Sequence, residues 1–204
     1  MRHFRTTKQT IMSLDINVYC KQLSDDLIPK IVKRLNDYEM VVEVHPEFSF
    51  SDQTGFLPFK FRLTNPHLDI LKDKELKSGF ELYIDDFDLQ TEKENLKPKL
   101  GFFAKLLGKK QPDILIASDD IEKRLKDCKK VVIFVWHAGD SFELRFASLT
   151  SAILTELTNG VCTYPADDIW YDNKNIVDEA FKEIKEYEQT LKEKDLDFMT
   201  FEEW

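Results

Sequence analysis

Six consecutive apolar residues, Val131, Val132, Ile133, Phe134, Val135 and Trp136, constrain the fold of this chain more than any other feature. The run is far shorter than the ~20 residues needed to span a bilayer. Its β-branched members favour extended backbone. A strand that is apolar on both faces belongs inside a sheet whose two sides are covered. Other segments alternate instead: Leu14, Ile16 and Val18; Phe59, Phe61 and Leu63; Phe80, Leu82 and Ile84. A period of two marks strands with one buried face, which suits antiparallel pairing. Residues 40–44 and 161–164 add two shorter strands. Asn65, Pro66 and the charged stretch through Ser78 and Gly79 separate the second and third alternating segments, so these need not form a tight hairpin.

Helical spacing fills the gaps. Leu27, Ile28, Ile31, Leu35 and Tyr38 recur three and four apart, after Ser24 as a cap and Asp25 and Asp26 at the positive end. Pro29 falls late for a first-turn proline and predicts a bend. Ser118 caps a short helix holding Ile121 and Leu125. Residues 142–146 fit either period. If Gly139-Asp140 turns a hairpin, the next helix starts near Ala147; otherwise it starts at Ser141. In both cases it ends at Asn159-Gly160, where glycine can take the left-handed cap conformation. Trp170-Tyr171 closes a loop, and Val177, Phe181, Ile184, Tyr187 and Leu191 mark a final amphipathic helix. The fold class expected is α+β, or α/β: a mixed, mostly antiparallel sheet with three to four helices packed on it.

At 204 residues a single domain is expected. Residues 1–13 are basic (Arg2, Arg5, Lys8) with no apolar stretch behind them, so they read as a flexible segment and not a secretory signal. Met12 is an alternative start. Residues 14–197 form the globular domain, and residues 198–204 an acidic, aromatic tail. Residues 96–110 carry Lys97, Lys99, Lys105, Lys109 and Lys110 and no acid, in a chain of net charge -9. With Pro98, Gly101 and Gly108 they read as a basic surface insertion, about residues 96–112. Phe102, Phe103, Leu106 and Leu107 beside those lysines also suit a membrane surface or an acidic partner.

The acidic balance argues against nucleic acid as a partner, since phosphate neutralisation needs basic surface. Cys20, Cys128 and Cys162 are widely spaced and read as reduced, packed thiols of a cytosolic protein. His3, His45, His67 and His137 form no metal-ligand spacing. His137, at the end of the apolar strand, is the best single candidate for chemistry, although a strand-end histidine bonded to backbone is the plainer account. Asp85, Asp86 and Asp88 are the densest acidic cluster and suit a hard cation or a solvated strand end. Glycine loops for phosphate and nucleophile elbows are absent from the sequence. No catalytic, cofactor-binding or metal-ligating residue is therefore assigned, and no cofactor is expected.

Large apolar groups amid acids mark a different kind of site. From Lys174 onward ten acids face five lysines, and Phe198, Met199, Phe201 and Trp204 stand among them. Such mixtures are characteristic of protein interfaces. Asp167, Asp168, Trp170, Tyr171, Glu202, Glu203 and Trp204 are the candidate partner-binding residues, the acids for encounter and the tryptophans as anchors.

Residues 147–171 also carry a pattern. A helix ends in Glu156, Leu157 and Thr158, Gly160 precedes a short strand, and Tyr164-Pro165 and Trp170-Tyr171 follow. This resembles small bacterial proteins associated with polymorphic toxins as immunity proteins. The resemblance covers about an eighth of the chain. It implies a cytoplasmic, non-enzymatic protein that binds a cognate toxin and blocks its active site. It carries over no catalytic residue. Because toxins acting on nucleic acid or nucleotides are commonly basic, an acidic surface complements that role. Two other functions compete with it. One is a hydrolase or transferase using His137, Asp140 and the cluster from Asp85 to Asp88. The other is a peripheral membrane scaffold held by residues 96–110, without stable insertion. The oligomeric state is open.

Overall fold

A computed structural model describes residues 14–51, 55–97 and 114–204. Residues 1–13 and most of the basic insertion lie outside the described residues. The chain runs β1 (Leu14–Cys20), α1 (Ile28–Leu35), β2 (Met40–Val44), β3 (Gly55–Leu63), β4 (Leu76–Asp86), α2 (Leu89–Leu96) and α3 (Asp119–Leu125). It continues with β5 (Lys130–Trp136), α4 (Glu143–Thr158), β6 (Val161–Tyr164), β7 (Ile169–Trp170), α5 (Ile176–Thr190) and β8 (Met199–Thr200). The architecture is α+β, with every described strand pair antiparallel.

The strand order is β2-β3-β4-β5-β1-β6-β7, with β8 beside the start of β4. The apolar run is the middle strand, as its composition requires. Val132 and Phe134 point to the main core and are fully buried. Val131, Ile133 and Val135 face the other way and are half-buried. The inner face meets α4, flanked by α1 and α5, and Phe146, Leu149 and Ile153 of α4 are completely buried there. Each such side chain contributes about 1.5–3 kcal/mol. The outer face is covered at the β5-β1-β6 end. There Phe87, Leu89, Leu125, Cys128 and Val161 form a second apolar cluster with α2 and α3 over it. Lys93 of α2 meets Glu122 of α3 at 2.5 Å, and Glu122 also accepts the Ile116 N–H at 2.8 Å.

Several local expectations are corrected. Residues 25–27 form a 3-10 turn before α1, and the Ser24 side chain makes no capping bond. Asp25 instead accepts the Phe50 N–H at 2.9 Å and the Ser49 hydroxyl at 2.8 Å. Pro29 therefore sits in the first turn of α1, where its missing N–H costs nothing, and no bend is needed. Ser78 and Gly79 lie inside β4 and not between strands, and β3 pairs directly with β4. A Cβ at position 79 would stand 2.1 Å from the Leu57 carbonyl oxygen, so only glycine permits this pairing. Residues 142–146 turn out helical: α4 starts at Glu143, after Asp140 accepts the Phe142 N–H at 2.7 Å. The left-handed cap of α4 is Asn159 (φ 48°), not Gly160. Gly160 is required for a different reason, since a Cβ there would meet the Tyr19 carbonyl oxygen at 2.6 Å. Helix α2 has no apolar stripe and was not expected. Asp88 caps it through the Thr91 N–H at 2.8 Å.

Candidate functional site

The exposed corner between β6 and β7 is built by its own turn chemistry. Thr163 and Tyr164 pair with Trp170 and Ile169. Between them Pro165, with φ preset, opens a 3-10 turn, and Asp168 closes it in the left-handed region (φ 54°) that aspartate tolerates. The Thr163 hydroxyl donates to the Ile169 carbonyl at 2.6 Å and holds the two strands. Trp170-Tyr171 is thus partly a paired strand and not only a loop closure. The turn lifts Asp167, Asp168 and Ile169 into solvent, with Ile169 41% exposed.

Aromatic rings border these acids. Trp170 is half-buried and stacks on Tyr19 with centroids 6.1 Å apart, so one face belongs to the outer cluster. Burial, then the nearby Asp167 and Asp15 carboxylates, pushes the Tyr164 phenol up. Tyr171 is pushed up to about 12, by burial first and then by Cys162, Glu183, Tyr164 and Asp167. Asp15 of β1 acts on Tyr164 and Glu183 of α5 on Tyr171, from opposite sides of the sheet. Neither was a sequence candidate, because strand alternation and helix phase bring them there from distant segments.

The tail forms a separate patch. Strand β8 pairs with Leu76 and Lys77, and the Phe201 N–H donates to the Glu75 carbonyl at 2.9 Å. The Lys60 ammonium lies 5.2 Å from the Phe201 ring centroid, and Trp204 lies 5.0 Å from Phe201 and 5.4 Å from His45. Trp204 is 41% exposed, and Glu202 and Glu203 stand in solvent. Four strand spacings separate β7 from β4, about 20 Å. The seven candidates are therefore split. Asp167, Asp168, Trp170 and Tyr171 lie at one corner, with Trp170 on the outer face and Tyr171 on the inner face of the sheet, while Glu202, Glu203 and Trp204 lie well away from it.

The competing constellation is also divided. In the ladder of β4 and β5, Asp86 lies opposite Lys130, whereas His137 follows the far end of β5, about 23 Å along the strand. Asp86 meets Lys130 at 2.8 Å and Asp88 caps α2, so both acids have structural employment. His137 Nε2 lies 3.4 Å from Glu81, and its backbone N–H donates to Glu143 at 2.9 Å. Burial lifts Asp140 to about 6 against the lowering effect of bonds from the Phe142 N–H and the Ser78 hydroxyl at 2.9 Å. This carboxyl braces the start of α4.

The three cysteines are buried and free, and burial raises all three thiols, Cys162 to about 12. Thiols held protonated in this way are poor nucleophiles. Among the described residues no group of three or more His, Cys, Asp or Glu stands ready to hold a metal ion. No helix among them is long and apolar enough to cross a membrane. The membrane-scaffold expectation falls on residues 96–110, nearly all outside the described residues. The pattern spanning residues 147–171 has mechanical roles here: Glu156 pairs with Arg34 at 3.1 Å, and Gly160 admits the Tyr19 backbone. Compared with protein families, with curated proteins and with solved structures, the chain matches none.

Proposed function

We propose that this chain is a non-enzymatic binding protein of the cytoplasm, an immunity protein that captures a basic toxin and occludes its active site. The observation that supports this reading is the β6–β7 corner. Two exposed carboxylates and an exposed isoleucine are fixed by a hydrogen-bonded turn at the sheet edge, with the partly open Trp170 ring on the outer face and the Tyr164 and Tyr171 rings on the opposite face. Acids at the rim accelerate encounter with a cation-rich partner, and aromatic anchors slow its release. Asp15 and Glu183 extend the negative charge, one on each side of the sheet. The turn is preorganised by Pro165 and the Thr163 hydroxyl, which reduces the ordering cost of binding.

The reading frame beside this one supplies the candidate toxin. Co-expression of the two is expected to restore growth, and the purified pair to form a tight complex. In the Asp167→Asn, Asp168→Asn double variant association slows and loses salt dependence, while dissociation is nearly unchanged. A neighbouring product that neither harms cells nor binds this chain removes the proposal.

A further inference from the structure

Helices α2 and α3 shelter only part of the outer sheet face. Their apolar cluster takes in Tyr19 of β1, Val131 of β5 and Trp170 of β7. Further along β5, Ile133 and Val135 also point outward, yet neither belongs to this cluster or to the main core. Both are half-buried, in a strand whose inner residues Val132 and Phe134 are fully buried. The register places their neighbours. Val135 lies opposite Glu81 of β4 and Asp15 of β1, and Glu81 lies opposite Phe56 of β3. Ile133 lies opposite Tyr83 and Asn17, and that row continues through Thr163 to Trp170. Phe56 and Tyr83 are 44% and 38% exposed. Gly79 lets the Phe56 ring lie across β4, since a Cβ there would stand 3.0 Å from its Cζ.

These two rows form an apolar shelf edged by acids. Asp15 and Glu81 flank Val135 from either side, two strand spacings or roughly 10 Å apart. Asp85, next outward on β4, adds a third carboxylate in solvent. No lysine or arginine stands in either row. Glu81 accepts the Tyr83 hydroxyl at 2.7 Å and lies 3.4 Å from His137. Asp15 and Asp85 form no ion pair among the described residues. Such a shelf fits a basic surface and rejects a second copy of this chain, whose own carboxylates would meet it. Arginine suits it best, because its aliphatic stem packs on Val135 while its planar head reaches Asp15 or Glu81.

We propose that the outer face of β4, β5 and β1 seats the basic toxin, which lays an arginine over Val135 between Asp15 and Glu81. This rests on the immunity reading and deepens it. The row from Tyr83 to Trp170 joins the shelf to the Asp167–Asp168 corner, so the toxin lies across the outer side and not against α4 and α5. Calorimetric titration of the full chain with the neighbouring frame's toxin tests the placement. The Asp15→Asn, Glu81→Gln double variant is expected to bind roughly ten- to hundredfold more weakly. Tyr83→Lys sets a like charge at an exposed position and should lose a similar factor. Glu179→Gln with Glu186→Gln removes the same charge from exposed positions of α5 and leaves affinity nearly unchanged. In the parent chain the Ile133 and Val135 methyl resonances shift on complex formation, a readout that needs no substitution. With toxin bound by the parent, equal losses in the two double variants, no loss in the outer one, or unmoved methyls overturns this placement and leaves the immunity reading standing. Movement of those methyls without toxin, when residues 98–113 are replaced by a Gly/Ser linker, assigns the shelf to the chain's own basic segment and also overturns it. A parent chain that binds no toxin removes both.

Discussion

At residue scale the structure separates side chains that hold the molecule from those free to meet a partner, and Trp170 lies on the boundary. Its stack on Tyr19 fixes one face while the rest remains partly open. Trp170→Phe retains a ring against Tyr19, so the melting temperature should hold while dissociation of the toxin complex accelerates. A parallel fall in both would make the residue structural only. Arg145 and Glu188 are less ambiguous. Arg145 is 2% exposed, reaches both Glu188 oxygens at 2.7 and 2.8 Å, and donates to the Tyr38 carbonyl at 2.9 Å. Glu188→Ala leaves a buried guanidinium without its counter-ion and should cost about 3–5 kcal/mol in urea denaturation. The pair was not legible in the sequence, because a charged residue on a helix stripe looks like a phase error. The stripe of α5 in fact runs through Val177, Ile184 and Glu188, while Tyr187, expected inside, is 40% exposed. Asp140 adds a pH signature. Its carboxyl is raised above the usual range, so folding favours its protonated form. That contribution is present below about pH 4 and is lost as pH rises through about 6. Asp140→Asn should lose less stability between pH 5 and pH 7 than the parent, read from urea midpoints.

At the scale of elements, strands were the readable part. Alternation in β1, β3 and β4 and the unbroken run of β5 report directly on which faces are buried, since period two leaves no freedom of phase. Val132→Asp places a charge in the middle strand among fully buried neighbours, and should cost more than about 4 kcal/mol or prevent folding. An unchanged melting temperature would contradict the strand order. Helix ends were less readable, because caps depend on which donor is near in space. Ser24 and Ser118 stand at helix starts without side-chain capping bonds, whereas Asp88 caps a helix that no apolar period announced. Helices α2 and α3 are joined by the Lys93–Glu122 pair, whose side chains are 12% and 8% exposed. Glu122→Ala should lower stability by about 3 kcal/mol and loosen amide protection in α2 and α3 before the central strands.

At the scale of the whole molecule, a net charge of -9 was legible from composition, but its placement was not. The sheet order puts the β6–β7 corner at one edge and seats the tail beside β4, dividing a site that sequence distance alone could not divide. The same order has a temporal side. Strand β1 lies between β5 and β6, and its register joins Leu14 to Trp136 and Tyr19 to Val161. Strand β1 must therefore wait for partners made more than a hundred residues later. At about 5–20 residues per second that is roughly 6 to 25 seconds with Ile16 and Val18 unsheltered. During synthesis β2, β3 and β4 can already pair in sequence as a meander, leaving the edge of β4 open for β5. Completion of the sheet then depends on a late insertion, so the interval before β5 emerges is when nascent chains are most exposed to chaperones and to one another.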